Sequence, residues 1–380
     1  MRSLLRIPVR PLCLAWLSIT PISAAAYDVG GNPPFASALL LEASTGSVLF
    51  EYRADTPRSP ASTQKLLLQL VVMEALADGR FALTDSVYTS ARASRTGGSQ
   101  VYLQQGEVFP LSEMMAAIVI SSANDACVAV AEHIGGSVEG FVAMMNAKAR
   151  ELGMASTRCV NVHGLDDTPR DKGNVTTARD LGIVARAMLP HRRIFEWSSI
   201  RMRPFRNGAF TLYTTNKLLR SFRGLDGLKT GYTKRAGSCL VATAQRRDMR
   251  LISVIMGARR ERLRDRETAR LLEWGFAHFV KGPLTLAGEP VGKVSLDWGQ
   301  EPEVAAVTSD TFVAVLTPEQ RRRVERRVEL PEEQPAPVAA GDTLGVLHLR
   351  LDDAVLARVE LVAADSVARM SVWEKLLSYF

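Results

Sequence analysis

Apolar and polar positions alternate over residues 36–53 around Ser44-Thr45-Gly46-Ser47, which predicts a β-hairpin with Leu39, Leu41, Val48 and Phe50 available to a core. Almost nothing in residues 66–77 breaks a helix. Pro60 suits a first turn because it has no N–H to leave unpaired, so a long helix is expected from Ser62. Residues 89–106, rich in Ser, Gly and Gln, predict a loop, and residues 111–120 a second helix by their apolar density. Five small or polar residues, Ser121 to Asp125, then interrupt the apolar pattern before it resumes at Ala126 and ends at Gly135-Gly136. Burying such a break between apolar helices costs free energy unless its groups are bonded or face a cleft. A cleft is the expectation. Amphipathic patterns predict further helices over 141–152 and 177–188, the latter capped by Thr176 or Thr177, with a loop over 162–173. Leu225 to Tyr232 leads into two β-type runs, 238–244 and 250–256, which read as adjacent antiparallel strands. A helix over 267–279 closes the region.

After Lys281-Gly282-Pro283 the pattern changes to short β-like segments at 292–296, 311–316, 324–330, 343–351 and 356–362, the mark of a separate small β domain over 283–364. Arg321, Arg322, Arg323, Arg326 and Arg327, interleaved with Glu319, Glu325 and Glu329, read as a solvated strand face. Over residues 365–380, Val367, Met370, Trp373, Leu376, Leu377 and Phe380 recur at helical spacing, predicting an amphipathic helix. It is too short to cross a bilayer, so it packs on the protein or lies in a membrane interface.

Composition adds a secretory signal and removes several function classes. The 380 residues, 47% hydrophobic and 7% aromatic, suit a globular protein of about two or three domains. Residues 1–26 stand apart: Arg2, Arg6 and Arg10 precede an apolar run at 12–19, and Ser23-Ala24-Ala25-Ala26 offers small residues for cleavage. Removing this segment takes away three arginines and no acid, so the formal net charge falls from +7 to +4. That is no nucleic-acid footprint, though a slightly basic surface suits anionic lipid or wall polymer. Cys127, Cys159 and Cys239 remain at irregular spacing and read as buried structural thiols, with neither a disulfide framework nor a zinc site implied. The five histidines show no metal-ligand spacing, so neither metal nor cofactor is expected.

Candidate chemistry begins at Ser62-Thr63-Gln64-Lys65, where a hydroxyl and an amine share one helix face near the positive end of the helix dipole. Alone, this spacing fits a solvent-exposed helix start as well as a nucleophile with its base. Two more islands give it company, Ser122-Ala123-Asn124 at the polar break and Lys229-Thr230-Gly231. In this order and context the three sets resemble the motifs of penicillin-recognising serine enzymes. Residues 35–279 are similar to the low-molecular-mass D-alanyl-D-alanine carboxypeptidases, peptidase family S11. The similarity runs through Pro60-Ala61-Ser62, Ser122 to Ala126, His163-Gly164-Leu165-Asp166, Thr177-Ala178-Arg179-Asp180 and Asp226 to Gly231. Residues 283–365 resemble that family's C-terminal β domain, and the terminal helix its membrane anchor.

The resemblance implies an α/β (α+β) catalytic domain over 27–282, of the serine β-lactamase/transpeptidase type: an antiparallel sheet flanked by helices, with a helical subdomain. It also implies removal of the terminal D-alanine from peptidoglycan stem pentapeptides, covalent binding of β-lactam antibiotics, and a periplasmic location on the inner membrane. Ser62 is then the nucleophile and Lys65 its base, with burial and the cation of Lys229 both lowering the Lys65 pKa. Ser122 relays the proton, Asn124 holds the substrate amide, and the N–H groups of Ser62 and Tyr232 flank the oxyanion. Thr230 beside Gly231, with Arg264 as the family's match, binds the terminal carboxylate; Arg266 is the neighbouring alternative. The sequence has Thr63-Gln64 where Leu-Thr is usual and Ala123 where Gly is common, which bears on substrate detail rather than acylation. No acidic deacylation base is identifiable, and Asp166 and Asp167 read as structural caps. The competing readings are a DD-endopeptidase cleaving cross-links, a serine β-lactamase, and a weakly catalytic wall-binding module.

Overall fold

The computed structural model describes residues 27–377, so the predicted signal segment and Phe380 lie outside the described residues. The chain divides into two compact units, one of residues 27–282 with Val313–Arg321, the other of Pro283–Phe312 and the chain from Arg322 onward. The first break falls at the composition shift after Gly282. Val313–Arg321, which the β-like pattern assigned to the second domain, belongs to the first unit, where Val315 is buried in the core. Strand pattern alone carries no record of which core a short apolar segment joins.

The first unit is built on a five-stranded antiparallel sheet in the order Val48–Tyr52, Ser37–Glu42, Met249–Ala258, Gly237–Arg246, Leu225–Thr233. Ser37–Glu42 is buried along its whole length. Leu39 and Leu41 enter one core and Leu40 the other, which is why SALLLE shows a continuous apolar run rather than strict alternation. Helices Lys65–Ala77 and Ala178–Ala187 pack with the first core, and Glu261–His278 covers the opposite face. Lys65–Ala77 is apolar on nearly every side and buried accordingly. Helices Leu111–Ser121, Asn124–Gly135 and Val138–Glu151 form the helical subdomain.

Several boundaries differ from the pattern for identifiable reasons. The polar break is two residues, Ser122 and Ala123, because Asn124 and Asp125 already begin the next helix. The helix placed over 267–279 starts at Glu261; its first residues, Glu261-Arg262-Leu263-Arg264-Asp265-Arg266, are too polar to announce it. The helix Arg192–Ser198 and the hairpin Met202–Phe205/Phe210–Tyr213 have no counterpart in the sequence reading. Thr177 caps its helix as expected, its Oγ1 accepting from Asp180 N at 3.0 Å.

The second unit is a six-stranded sheet in the order Val324–Glu329, Thr343–Leu351, Ala354–Ala363, Glu303–Thr308, Pro290–Asp297, Glu333–Pro335, the last pair parallel. Val324–Glu329 is the edge strand and exposes Glu325, Arg326 and Arg327, a solvated face that also blunts the edge, whereas Arg321 and Arg322 of the same run end the short helix Pro318–Arg322 and Arg321 is half-buried. The tail departs from expectation. Val367 bridges Val338 and is buried in the core of this unit, and the described helix spans only Val372–Leu377. A helical spacing from Val367 onward cannot tell a helix from an extended segment that happens to bury its first apolar residue.

Candidate active site

Ser62 lies on a short 3₁₀ turn, Ala61–Gln64, and Lys65 opens the α-helix that continues it. Side chains three residues apart eclipse in 3₁₀ geometry, which stacks the amine over the hydroxyl more directly than the all-α start expected from the sequence. Lys65 Nζ is 2.9 Å from Ser62 Oγ. Two close approaches hold this turn. A Cβ on Gly231 would meet Ser62 N at 2.9 Å, and one on Gly164 would fall 2.0 Å from Ala61 O. Only glycine at both positions lets the edge strand and the loop after His163 press against the nucleophile.

The other two motifs converge on the same amine. Lys65 Nζ donates to Ser122 O at 2.9 Å and to Asn124 Oδ1 at 2.6 Å, and lies 3.1 Å from Ser122 Oγ. Ser122 reaches inward because it adopts the left-handed conformation, φ 62°, between the two helices. Asn124 is held by Gly97 O, which accepts from its Nδ2 at 2.8 Å, while its backbone N–H donates to Ser99 O. Both ends of the Asn124 amide are therefore engaged by protein groups.

Lys65 is fully buried, and burial pulls its pKa down to about 8. The sequence reading gave Lys229 a share in that shift. The nearby Asp125 opposes the shift. The repulsion between the two amines is mutual, and Lys229 is held well below the ordinary lysine value by burial first, then by the charges of Lys65 and Arg264. Lys229 Nζ donates to Thr230 O at 2.9 Å. Thr230 Oγ1 is 2.6 Å from Thr215 Oγ1. Tyr232, two residues on, is exposed.

Of the two arginines, Arg264 is buried and its charge reaches Lys229, whereas the Arg266 side chain is 59% exposed and paired with Glu267. Arg264 is tied to Asp265 at 2.7 Å and to Glu261 at 3.2 Å. Asp166 accepts from Ser59 Oγ and Asp167 from Asn161 Nδ2, the structural roles expected of them. The thiol of Cys127 is pushed up to about 11 by burial, so it stays protonated beside the lysines. Cys127, Cys159 and Cys239 are all free and buried.

Three participants were not legible in the sequence. The backbone carbonyl of His163 lies 3.5 Å from Ser62 Oγ, and its ring, pushed down to about 4 by burial, is neutral. The loop over 97–103 is fixed by the Asp125 carboxylate, which accepts from Val101 N and Leu103 N at 3.1 Å. Thr215 comes from a stretch with no periodic signal at all; its one hint is the polar cluster Thr214-Thr215-Asn216-Lys217.

A buried amine of depressed pKa in hydrogen-bond contact with a hydroxyl, on a turn pressed against a sheet edge, defines a serine acyl-transfer enzyme of the penicillin-recognising class. Residues 34–260 match the D-alanyl-D-alanine carboxypeptidase family, peptidase S11, and residues 279–369 match the C-terminal domain of penicillin-binding protein 5. The chain is 35% identical to the D-alanyl-D-alanine carboxypeptidase DacF of Bacillus subtilis over 338 residues, 88% of this chain and 86% of that one. Penicillin-binding protein 5 from Haemophilus influenzae is similar in structure at a TM-score of 0.75 and 29% identity, covering 90% of this chain and all of that one. Penicillin-binding protein D2 from Listeria monocytogenes, in its ampicillin-bound form, is similar at a TM-score of 0.58 and 31% identity over 64% of this chain and 97% of that one. The protein belongs to the S11 family of serine-type D-alanyl-D-alanine carboxypeptidases.

Proposed function

We propose that the enzyme removes the terminal D-alanine from peptidoglycan stem pentapeptides through an acyl-enzyme on Ser62. The observation that carries this reading is the buried Lys65 amine, 2.9 Å from Ser62 Oγ and with its pKa lowered to about 8. As Ser62 Oγ attacks the carbonyl of the penultimate D-alanine, its proton passes to neutral Lys65. The N–H groups of Ser62 and Tyr232 face the oxyanion of the tetrahedral intermediate. Ser122, in contact with Lys65, relays the proton to the leaving amine. D-alanine departs and the Ser62 ester remains for water to hydrolyse. Thr230 and Arg264 bind the terminal carboxylate, and Asn124 exchanges part of its contact with Lys65 for the substrate amide.

The edge position of Leu225–Thr233, at the end of its sheet, supports binding of the peptide as an added strand. In a β-lactam the same attack opens the ring, and because the amine stays attached no group leaves. The test is labelling of the purified protein with a fluorescent penicillin. Wild type should be marked and Ser62→Ala unmarked, and a labelled mutant overturns the assignment. Mass spectrometry of muropeptides after incubation decides the reaction: loss of D-alanine from monomers supports a carboxypeptidase, while cleavage of cross-linked dimers in its place supports an endopeptidase.

We further propose a periplasmic location at the inner-membrane surface. Residues 1–26 support export. Trp373 and Leu377, 78% and 73% exposed on the terminal helix, support contact with a bilayer interface.

A further inference from the structure

Thr215 lies in the short connection between the strand Phe210–Tyr213 and the turn Lys217–Arg220, a segment with no periodic pattern. This connection reaches the polar break, the edge strand and, through Glu261, Arg264. Ser121 Oγ donates to Tyr213 O at 3.2 Å and accepts from Tyr213 N at 3.0 Å, which fastens it to the residue before Ser122. Thr215 Oγ1 then meets Thr230 Oγ1 at 2.6 Å on the edge strand. Lys217 Nζ donates to Glu261 Oε2 at 3.0 Å, and the other oxygen of Glu261 accepts from Arg264 Nη2 at 3.2 Å. The segment thus spans from Ser121 through Thr230 to Arg264.

The hydroxyl pair has a direction that proton counting fixes. Each threonine carries one hydroxyl proton and can accept twice, whereas an ionised carboxylate only accepts. Thr230 O accepts from the Nζ of buried Lys229, and the charge of buried Arg264 reaches that lysine, so basic groups 1% and 3% exposed favour an anion beside Thr230. To bind that anion Thr230 must donate its own proton outward, so the bond between the hydroxyls must be supplied by Thr215. We propose that Thr215 is a positioning residue for recognition of the free α-carboxylate: its hydroxyl donates to Thr230 Oγ1 and turns the Thr230 proton toward the substrate. The proposal rests on the carboxypeptidase reading above, since that substrate ends in a free carboxylate.

Valine in place of Thr215 keeps the shape and removes the donor, leaving the Thr230 hydroxyl free to rotate. The experiment compares an acyl-D-Ala-D-Ala peptide carrying a free carboxylate with its methyl ester on wild type, Thr215→Val, Thr215→Ala and Thr215→Ser. For the free acid, kcat/KM should fall about tenfold in Thr215→Val and Thr215→Ala, chiefly through KM, the scale of one hydrogen bond serving a charged group. For the ester both variants should stay within about twofold of wild type, and Thr215→Ser should restore the free-acid rate to within about threefold by the same reasoning. Equal losses on acid and ester would mean a purely structural role and overturn the proposal, as would no loss on either. Wild-type enzyme that turns over neither peptide overturns the carboxypeptidase reading itself, an outcome distinct from a failed acid-to-ester split in an active enzyme.

Discussion

Lys65 must be two things at one atom. As an ammonium it has three protons to donate to Asn124 Oδ1, Ser122 O and a hydroxyl, and as a neutral amine it has the lone pair that Ser62 needs. Burial brings the two forms close in energy near neutral pH by pulling the pKa to about 8. The sign of the pH dependence follows. Below that value the protonated form dominates and cannot accept, so the second-order rate of penicillin acylation should rise up to tenfold per pH unit and level off above about 8. A profile flat from pH 6 to 9 would mean another base takes the proton. Lys65→Arg, which holds a permanent charge, should abolish acylation at every pH where the wild type is active. The spacing of Ser62 and Lys65 was legible because it is local, three residues on one turn. Lys229 was legible both as a motif and as the second amine coupled to Lys65, whereas its burial and its tie to Arg264 were not, because the sequence gives no distances between buried charges.

At the level of elements, the site is a contact between a turn and a strand edge. Leu225–Thr233 approaches Ala61–Gln64 so closely that a Cβ at Gly231 would lie 2.9 Å from Ser62 N and 3.0 Å from Thr63 N, both backbone atoms that cannot step aside. Gly231→Ala should therefore push the strand away from the nucleophile and displace the Tyr232 N–H with it. A misplacement of this kind costs about a hundredfold in acylation rate. Stopped-flow acylation beside a thermal melt checks this, the melt being expected to change far less than the rate. Element ends show what patterning can and cannot resolve. Helix Ala178–Ala187 was found with its Thr177 cap because capping is written in adjacent residues. Helix Glu261–His278 begins before its apolar period because its first turns are charged on most faces, Arg264 being buried there through its ion pairs rather than by an apolar pattern.

For the whole molecule, the tail sets how much chain can be removed without harm. Val367 is 5% exposed and exchanges backbone hydrogen bonds with Val338, at 2.8 Å from its own N–H and 3.0 Å from that of Val338. A truncation after Ala364 would therefore open the core of the second unit. One after Ser371 removes residues 372–380, among them the exposed Val372, Trp373, Leu376 and Leu377, at the cost of the Lys375 contacts with Asp297 and the Trp298 ring. The shorter deletion should release the protein from anionic vesicles in a flotation assay and leave peptide turnover unchanged; continued flotation would rule out the helix as the attachment.

The sequence by itself determined the three motifs, the helix and strand periods that carry them, and the composition shift after Gly282, all of which are local patterns in which residues near in the chain are near in space. Only the tertiary structure decided that Val313–Arg321 returns to the first unit, that Val367 leaves the terminal helix for the β core, and that Thr215 meets Thr230. Such pairings join residues far apart in sequence or hidden from any period, and they are selected by which surfaces bury together rather than by any signal in the segment itself.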